Sequence, residues 1–281
     1  MLVTDAQIHV WEVDRPDRPW PQPPRNEPQL EDGFSADQAI AAMDEAGVDR
    51  AVIVPPTWIG ESNVTALEAA ERYPGRFGVM GRFDIDAPDA RDQLARWREQ
   101  PHLLGIRVTF FAKPTFAQLE DGSLEWFFDA CERHDIPLMM LFGGAPEKVQ
   151  PVLERHPALS VILDHMALDL TAEGEAAWAS LDTTVALARY PRLHVKVSSA
   201  PNFSWEPYPH RDIHGYLGRL HEAYGARRLF WGSDYTRLRG TYRDSIRLFA
   251  EELDFLTAED REWVLGRGLS ECLGWPEQEG A

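Results

Sequence analysis

Short apolar runs alternate with amphipathic segments along the chain. The runs are largely continuous in apolar residues, which is typical of strands in a parallel sheet that helices cover on both faces. The eight strands that this pattern predicts are Leu2–Trp11, Arg50–Pro56, Phe77–Phe83, Leu103–Phe111, Pro137–Phe142, Leu159–His165, Leu193–Ser199 and Arg228–Asp234.

The segments between these runs have apolar residues at helical spacing. The predicted helices are Ser35–Ala46, Ser62–Tyr73, Ala87–Gln100, Leu124–His134, Pro146–His156, Glu173–Tyr190, His210–Tyr224 and Tyr242–Leu253, with one or two more in Ala258–Leu273. This order predicts an α/β protein with a single (β/α)8 TIM barrel domain over residues 1–281 and extra C-terminal helices. A doubly wound open sheet is the alternative, but it would usually show a glycine-rich phosphate turn after an early strand, and the sequence has none.

The first predicted strand has polar residues on one face. Strict alternation places Asp5, Gln7 and His9 on the same side, opposite Ala6 and Ile8. A strand of this kind indicates a site rather than a solvent-facing edge. The loop that follows, residues 12–33, is long, and long loops without structure of their own are often functional.

Polar side chains recur where the predicted strands end. The carboxyl ends of barrel strands meet at one mouth, so these residues are candidates for a common site. They are Gln7, His9, Arg82, Arg107, Asp164, His165, Lys196, Asp234, Tyr235 and Arg237. Asp234 ends the apolar strand of residues 228–234, which suits a general base or a metal ligand.

Each of these residues also has a structural interpretation. His9 and His165 could bond to backbone groups, Asp234 could cap a turn, and Arg107 or Lys196 could pair with carboxylates inside the barrel. Their joint occurrence at the ends of otherwise apolar segments favours a site.

The net charge limits the classes of partner that we expect. The formal net charge is −18, which disfavours nucleic acid and anionic membrane surfaces. The two cysteines, Cys131 and Cys272, lack metal-ligand spacing, and the first residues lack the pattern of a signal peptide. We therefore expect a cytoplasmic protein that acts on a small molecule; homo-oligomer formation stays open.

Five segments carry a family resemblance: residues 5–11, 105–107, 163–165, 195–198 and 231–234. Together they resemble the amidohydrolase superfamily, and within it the branch that includes 2-pyrone-4,6-dicarboxylate lactonase and related sugar-acid lactonases. The resemblance implies a hydrolase on a TIM barrel and covers nearly the whole chain.

The resemblance also implies a metal ligand set, from which this chain departs. The superfamily typically has a His-x-His pair on strand one, histidines on strands five and six, and an aspartate on strand eight. This sequence keeps His9, His165 and Asp234 but has Gln7 and, on strand five, Leu141 or a neighbouring residue. A catalytic metal needs about three good protein ligands, so we expect no cofactor, with a single divalent metal such as Zn²⁺ as the open alternative.

The predicted activity is hydrolysis of a small lactone or activated ester. Asp234 would activate water, while His9 and His165 would polarise the carbonyl. Substrate binding is predicted for Gln7, Trp58, Arg82, Arg107, Lys196, Trp205, Tyr235 and Arg237. The arginines would suit a carboxylated substrate, and aromatic loops that also contain Phe110, Phe111, Phe203 and Tyr208 would suit an aromatic-derived one. A lactone isomerase, a decarboxylase and a non-catalytic binding barrel are the alternatives.

Overall fold

The structure, a computed structural model, describes residues 1–23, 26–110 and 114–275. Eight parallel strands form one sheet in sequence order. They are β1 (Thr4–Ile8), β2 (Arg50–Ile53), β3 (Phe77–Gly81), β4 (Leu103–Thr109), β5 (Leu138–Leu141), β6 (Val161–Leu163), β7 (Leu193–Ser198) and β8 (Leu229–Gly232). All eight lie within the predicted runs; Phe111, at the predicted end of the fourth, lies outside the described residues.

The sheet curves until its first and last strands meet. Asp234 N donates to Gln7 O over 2.8 Å, and His9 N donates to Tyr235 O over 3.0 Å. Ile8 and Tyr235 form a parallel bridge there. The predicted TIM barrel is confirmed, and the junction between its two edges lies among the predicted site residues.

Helices follow the strands and cover the outside of the barrel. They are α1 (Ala36–Ala46), α2 (Val64–Arg72), α3 (Ala90–Ala95), α4 (Phe116–Glu120), α5 (Glu125–Arg133), α6 (Gln150–Arg155), α7 (Leu181–Ala186), α8 (Arg211–Tyr224), α9 (Tyr242–Arg247), α10 (Ala258–Glu262) and α11 (Gly268–Leu273). The predicted C-terminal helices are α10 and α11. Among the helices of the described residues, none is long and apolar enough to cross a membrane.

Several helices are shorter than their sequence pattern predicted. The predicted helix Glu173–Tyr190 is instead a 3₁₀ turn at Gly174–Trp178, then α7, then a 3₁₀ turn at Leu187–Arg189. Tertiary contacts account for the interruption, because Trp178 stacks on Tyr216 with ring centroids 4.5 Å apart. Such contacts override helix propensity. The short helix α4 was not predicted.

Two apolar layers pack against the sheet, one outside the barrel and one inside it. The larger lies between the strands and the helices. The smaller fills the barrel interior with one side chain from each of several strands and is extended by α11; its members include Ala6, Val52, Met80, Met139, Ile162, Phe230, Leu269 and Leu273. The Lys196 side chain of β7 is fully buried as well. The interior is thus packed, and the open space lies above it at the carboxyl ends of the strands.

An irregularity in β1 corrects the predicted face pattern. The pairing of β1 with β2 shifts between Asp5 and Ile8. Ala6 packs in the interior layer, whereas the Asp5 carboxylate accepts a 2.6 Å hydrogen bond from the hydroxyl of Tyr242 in α9. A β-bulge re-aims the side chains that follow it. Gln7 therefore faces the site although its neighbour Ala6 faces inward.

Candidate active site

Three strands end in residues with left-handed backbone conformation, and all three belong to the site. His165 follows β6 with φ 50°, Ser199 follows β7 with φ 55°, and Asp234 follows β8 with φ 60°. This conformation is uncommon for residues other than glycine and costs free energy that the surrounding contacts must offset. Strain of this kind clusters at functional sites, and here it turns three polar side chains toward one point.

The Asp234 carboxylate is the centre of the cluster. Its Oδ1 accepts a 2.6 Å hydrogen bond from the Gln7 amide and lies 2.9 Å from His9 Nε2. Its Oδ2 accepts a 3.0 Å hydrogen bond from the Ser199 hydroxyl and lies 4.0 Å from His165 Nε2. The two oxygens therefore differ: Oδ1 has two close partners, and Oδ2 has one.

The charge states of Asp234 and His165 follow from this arrangement. Burial acts to raise the pKa of Asp234, but the electrostatic interactions of its carboxylate with His165, His9 and Arg237 and its hydrogen bond with His9 outweigh burial and hold that pKa below its usual range. Burial lowers the pKa of His165 to about 4, against the opposing pull of the Asp234 and Asp164 carboxylates. Near neutral pH the site thus holds a carboxylate beside a neutral imidazole.

The hydrogen-bond partners of the two histidines differ. His9 Nδ1 lies 2.7 Å from Val54 O, and its Nε2 faces the Asp234 carboxylate. Both partners are acceptors, so the His9 ring satisfies both when each nitrogen bears a proton. His165 Nδ1 lies 2.9 Å from the Ser198 hydroxyl, which can donate or accept. When Ser198 donates, the His165 proton sits on Nε2, facing the cavity.

A buried ion-pair network lies beneath the cluster. Arg107 Nε donates to Asp164 Oδ2 over 2.8 Å, and Lys196 Nζ lies 2.7 Å from Asp164 Oδ1. Lys196 also donates to Gln7 Oε1. Burial raises and the Lys196 and Arg107 charges lower the pKa of Asp164, with a net decrease. The network thus connects Arg107 at the mouth to the amide that contacts Asp234.

The cluster forms the floor of a cavity of about 370 Å³ at the barrel mouth. Its described lining residues are Gln7, His9, Asn26, Glu27, Gln29, Pro56, Thr57, Trp58, Arg107, Thr109, Leu141, His165, Leu170, Thr171, Asp234 and Arg237. A side lobe of about 140 Å³ adjoins it; Asp234 and Arg237 line both spaces. Most lining side chains carry amide, hydroxyl or charged groups.

Seven of the predicted residues line this cavity: Gln7, His9, Trp58, Arg107, His165, Asp234 and Arg237. Four predicted substrate-binding residues do not, and two of them are buried. Lys196 is fully enclosed beneath Gln7. Arg82 is buried beside Glu61 and Thr109. Each therefore faces protein rather than the cavity.

The other two are aromatic residues that pack elsewhere. Tyr235 stacks on Tyr242, with ring centroids 5.0 Å apart. Trp205 lies on the surface and is 55% exposed. Trp58 is the only Phe, Trp or Tyr residue among the described lining residues of the main cavity, and Phe203 lines the side lobe, so the predicted aromatic pocket is corrected to a mainly polar one.

Sequence reasoning missed the residues that make the cavity polar. Asn26, Glu27 and Gln29 come from the long loop after β1. Gln29 Oε1 accepts a 2.5 Å hydrogen bond from the Thr236 hydroxyl, which ties this loop to the loop after β8. The length of residues 12–33 was the available signal, but it did not indicate which side chains reach the site.

Comparison with known proteins identifies the family. A family model described as Amidohydrolase matches residues 4–267. The chain belongs to the amidohydrolase family. The predictions of this superfamily and of an enzyme are confirmed.

Three similar proteins are informative. The L-fucono-1,5-lactonase of Burkholderia ambifaria is 29% identical over 250 residues, which is 85% of this chain and 83% of the relative. A Burkholderia multivorans amidohydrolase structure with bound zinc has a TM-score of 0.80 and 23% identity, covering 98% of this chain and 100% of that chain. A probable 2-pyrone-4,6-dicarboxylic acid hydrolase from Acinetobacter baumannii, with citric acid bound, has a TM-score of 0.78 and 20% identity, covering 98% and 100%. Both structural likenesses show the shared fold.

The side chains at the mouth do not fit a catalytic metal site. His9, His165 and Asp234 converge, but the Gln7 amide nitrogen lies among their ligand atoms, and β5 contributes the hydrocarbon side chain of Leu141. Among residues 1–23, 26–110 and 114–275, no group of three or more His, Cys, Asp or Glu side chains could hold a metal ion. An amide nitrogen that donates to a carboxylate offers no lone pair to a cation.

Proposed function

We propose that this amidohydrolase hydrolyses a lactone that bears hydroxyl groups, with Asp234 as the general base and without a metal ion. One observation carries the proposal: an ionised carboxylate lies on the floor of a polar cavity, with Nε2 of His9 at 2.9 Å and Nε2 of His165 at 4.0 Å. A general base and two imidazoles that can donate to an oxyanion, in one concave site, are groups with which an ester can be hydrolysed.

Oδ2 of Asp234 is the oxygen suited to activate water. Oδ1 is occupied by Gln7 and His9, whereas Oδ2 has one hydroxyl partner, Ser199. A carboxylate oxygen accepts about two hydrogen bonds, so Oδ2 has capacity for a water. Oδ2 takes one proton from that water, and the water oxygen bonds to the lactone carbonyl carbon.

The electron pair of the carbonyl then moves onto its oxygen, which needs hydrogen-bond donors. His165 is neutral near pH 7 because burial lowers its pKa to about 4. With Ser198 donating to Nδ1, the Nε2 proton of His165 points to the cavity and can stabilise the oxyanion. His9 Nε2 adds a second donor once protonation of Asp234 weakens their mutual hydrogen bond.

Collapse of the tetrahedral intermediate completes the reaction. The ring C–O bond breaks, and the proton on Asp234 Oδ2 moves to the leaving oxygen. The product is a hydroxy acid, whose carboxyl group releases one proton to solvent at neutral pH. Because the pKa of Asp234 lies below its usual range, this carboxylate is a weak base, and an activated ester such as a lactone suits it better than an amide does.

The cavity lining favours a hydroxylated, uncharged substrate. Asn26, Gln29, Thr57, Thr109 and Thr171 present amide and hydroxyl groups. Such groups can donate to and accept from substrate hydroxyls. Glu27 adds a carboxylate that would repel an anionic substrate. The ion pair with Asp164 already neutralises part of the Arg107 charge. The L-fucono-1,5-lactonase from Burkholderia ambifaria acts on a substrate of this kind by its name.

The test is proton release by chelator-treated protein against a panel of sugar-acid lactones, carboxylated lactones and aromatic lactones. We expect turnover of the hydroxylated lactones to survive chelation, with the hydroxy acid as product. Conversion to an isomer without proton release would support an isomerase instead. Activity that appears only after a divalent metal is added would contradict the metal-independent mechanism.

A further inference from the structure

The Gln7 side chain occupies an unusual position. Its amide nitrogen lies 2.6 Å from Asp234 Oδ1, 3.4 Å from His165 Nε2 and 3.5 Å from His9 Nε2. These are the three atoms that a cation at the barrel mouth would have to contact, each at about 2.0–2.2 Å. The amide nitrogen therefore lies in the volume that a cation would share with them.

The orientation of this amide is fixed from below. Lys196 Nζ donates to Gln7 Oε1, which directs the amide nitrogen toward Asp234. Lys196 has no solvent exposure, and its ammonium group is held by Asp164 at 2.7 Å and by Met139 Sδ at 3.3 Å. An amide rotated by half a turn would place Oε1 against the Asp234 carboxylate and a donor against the ammonium group, so both contacts oppose rotation.

The buried positive charges at least match the negative ones without a further cation, since a His9 ring with a proton on each nitrogen adds one more positive charge. Lys196 and Arg107 are positive, Asp164 and Asp234 are negative, and all four side chains are buried in one connected group. Buried charges are stable when they are paired and hydrogen-bonded. A divalent cation beside Asp234 would add two positive charges near the Lys196 ammonium group.

We propose that the Gln7 amide, held by Lys196, takes the place of a metal ion in this site and keeps metal out. Lys196 is then a positioning residue, because it acts on Asp234 only through Gln7. The inference rests on the proposed function for its catalytic part, whereas its binding part stands on the geometry alone. The two parts have separate tests.

Zinc affinity tests the binding part. Metal-free wild type, Gln7→His and the double variant Gln7→His/Lys196→Met would be titrated with Zn²⁺ against a fluorescent chelator. Gln100→His, at an exposed position, is the control for an added imidazole. We expect the double variant to bind one Zn²⁺ per chain at least about tenfold more tightly than wild type, since a ligand and its supporting residues set metal affinity.

Equal zinc affinities in wild type and the double variant would overturn the inference, whether both are tight or both undetectable. The amide would then not be what occupies the cation position. This readout does not depend on turnover, so a protein that hydrolyses none of the lactones still tests it.

Turnover by Lys196→Met tests the catalytic part. Loss of the ammonium group frees the Gln7 amide to rotate, so we expect kcat to fall at least about tenfold while KM changes little, as for other supporting residues. Thermal unfolding would be measured in parallel. Unchanged kcat in folded Lys196→Met would overturn the positioning role. If Lys196→Met does not fold, Gln7→His replaces the double variant in the zinc titration, and a zinc affinity equal to that of wild type would overturn the inference.

Discussion

At the scale of single residues, the proposed mechanism gives the two oxygens of Asp234 different tasks. Oδ1 is held by the Gln7 amide and His9, which keeps the group ionised and oriented. Oδ2 faces His165 and Ser199 and has capacity for a water. The residue types at strand ends predicted that His9, His165 and Asp234 meet, and they do. The different partners of the two oxygens were not predictable, because they depend on the left-handed backbone at Asp234.

The charge states of this pair predict the pH profile. Asp234 stays ionised because its pKa lies below its usual range, while the pKa of His165 is about 4. Once protonated, His165 forms an ion pair with Asp234 Oδ2, and that oxygen is then no longer free to take a proton from water. We expect kcat/KM to be level from neutral pH down to about 5 and to fall near 4. A twofold fall already at pH 6.5, with the protein folded, would contradict this.

The free energy of unfolding, like kcat/KM, decreases at low pH. Burial lowers the pKa of His165 from 6.5 to about 4. As the pH falls, His165 is therefore protonated at a higher pH in the unfolded chain than in the folded protein. The free energy of unfolding therefore decreases as pH falls from 6.5 to about 4. Urea denaturation at pH 6.5 and at about pH 4 measures this loss of stability separately from the fall in kcat/KM.

The Ser198 hydroxyl offers a test of the His165 orientation. Ser198→Ala removes the 2.9 Å partner of Nδ1 and leaves a buried nitrogen unpaired. We expect kcat to fall about tenfold with KM little changed, which corresponds to the loss of one hydrogen bond to a group that acts in the transition state. Ser62→Ala, at an exposed position on the loop before α2, is the control. A rise in KM with kcat unchanged would show that Ser198 acts on substrate binding instead.

At the scale of elements, the junction between β1 and β8 positions the site. Asp5 accepts hydrogen bonds from Ser233 N at 2.9 Å, the Ser233 hydroxyl at 2.5 Å, the Tyr242 hydroxyl at 2.6 Å and Gln7 N at 2.8 Å. These bonds tie both strands and α9 to one carboxylate. Eight apolar runs predicted the strands, but not the β1 irregularity, because a bulge depends on the partner strand.

Tyr242→Phe tests this junction. Burial raises the pKa of Asp5 to about 6 from 3.8. The folded state thus holds the Asp5 proton more tightly than the unfolded state does. The resulting contribution to the free energy of unfolding is fully present below pH 3.8 and is lost as the pH rises through about 6. The Tyr242 hydroxyl contributes most when Asp5 is ionised.

We expect Tyr242→Phe to lower the free energy of unfolding by about 2 kcal/mol at pH 8 and by about 1 kcal/mol at pH 5. Urea denaturation measures both. Tyr190→Phe, whose hydroxyl contacts Glu154 at the surface, is the control. Equal losses at the two pH values would show that Asp5 does not titrate between them.

At the scale of the whole molecule, the barrel brings distant segments to one mouth, and the long loop after β1 completes the cavity with Asn26, Glu27 and Gln29. The alternation of strands and helices predicted this convergence. It could not predict which loop side chains line the cavity, nor that Trp205 and Tyr235 pack elsewhere, because those positions depend on loop contacts distant in sequence.

The net charge of −18 predicts a salt effect that separates substrate classes. A neutral hydroxylated lactone feels no long-range repulsion, so its kcat/KM should change less than about twofold between low and physiological salt. A carboxylated lactone should instead gain kcat/KM as salt screens the repulsion. A fall of kcat/KM for the carboxylated lactone would show that Arg107 and Arg237 attract anions and would contradict the neutral substrate class.

The most direct test of the central claim compares wild type with Asp234→Asn, both treated with a chelator, by proton release from a hydroxylated sugar-acid lactone. Asparagine keeps the shape and one acceptor oxygen but is not a base. We predict turnover by wild type and a loss of about 10³-fold in kcat for the variant, with unchanged circular dichroism. Undiminished turnover by a folded Asp234→Asn would contradict the account.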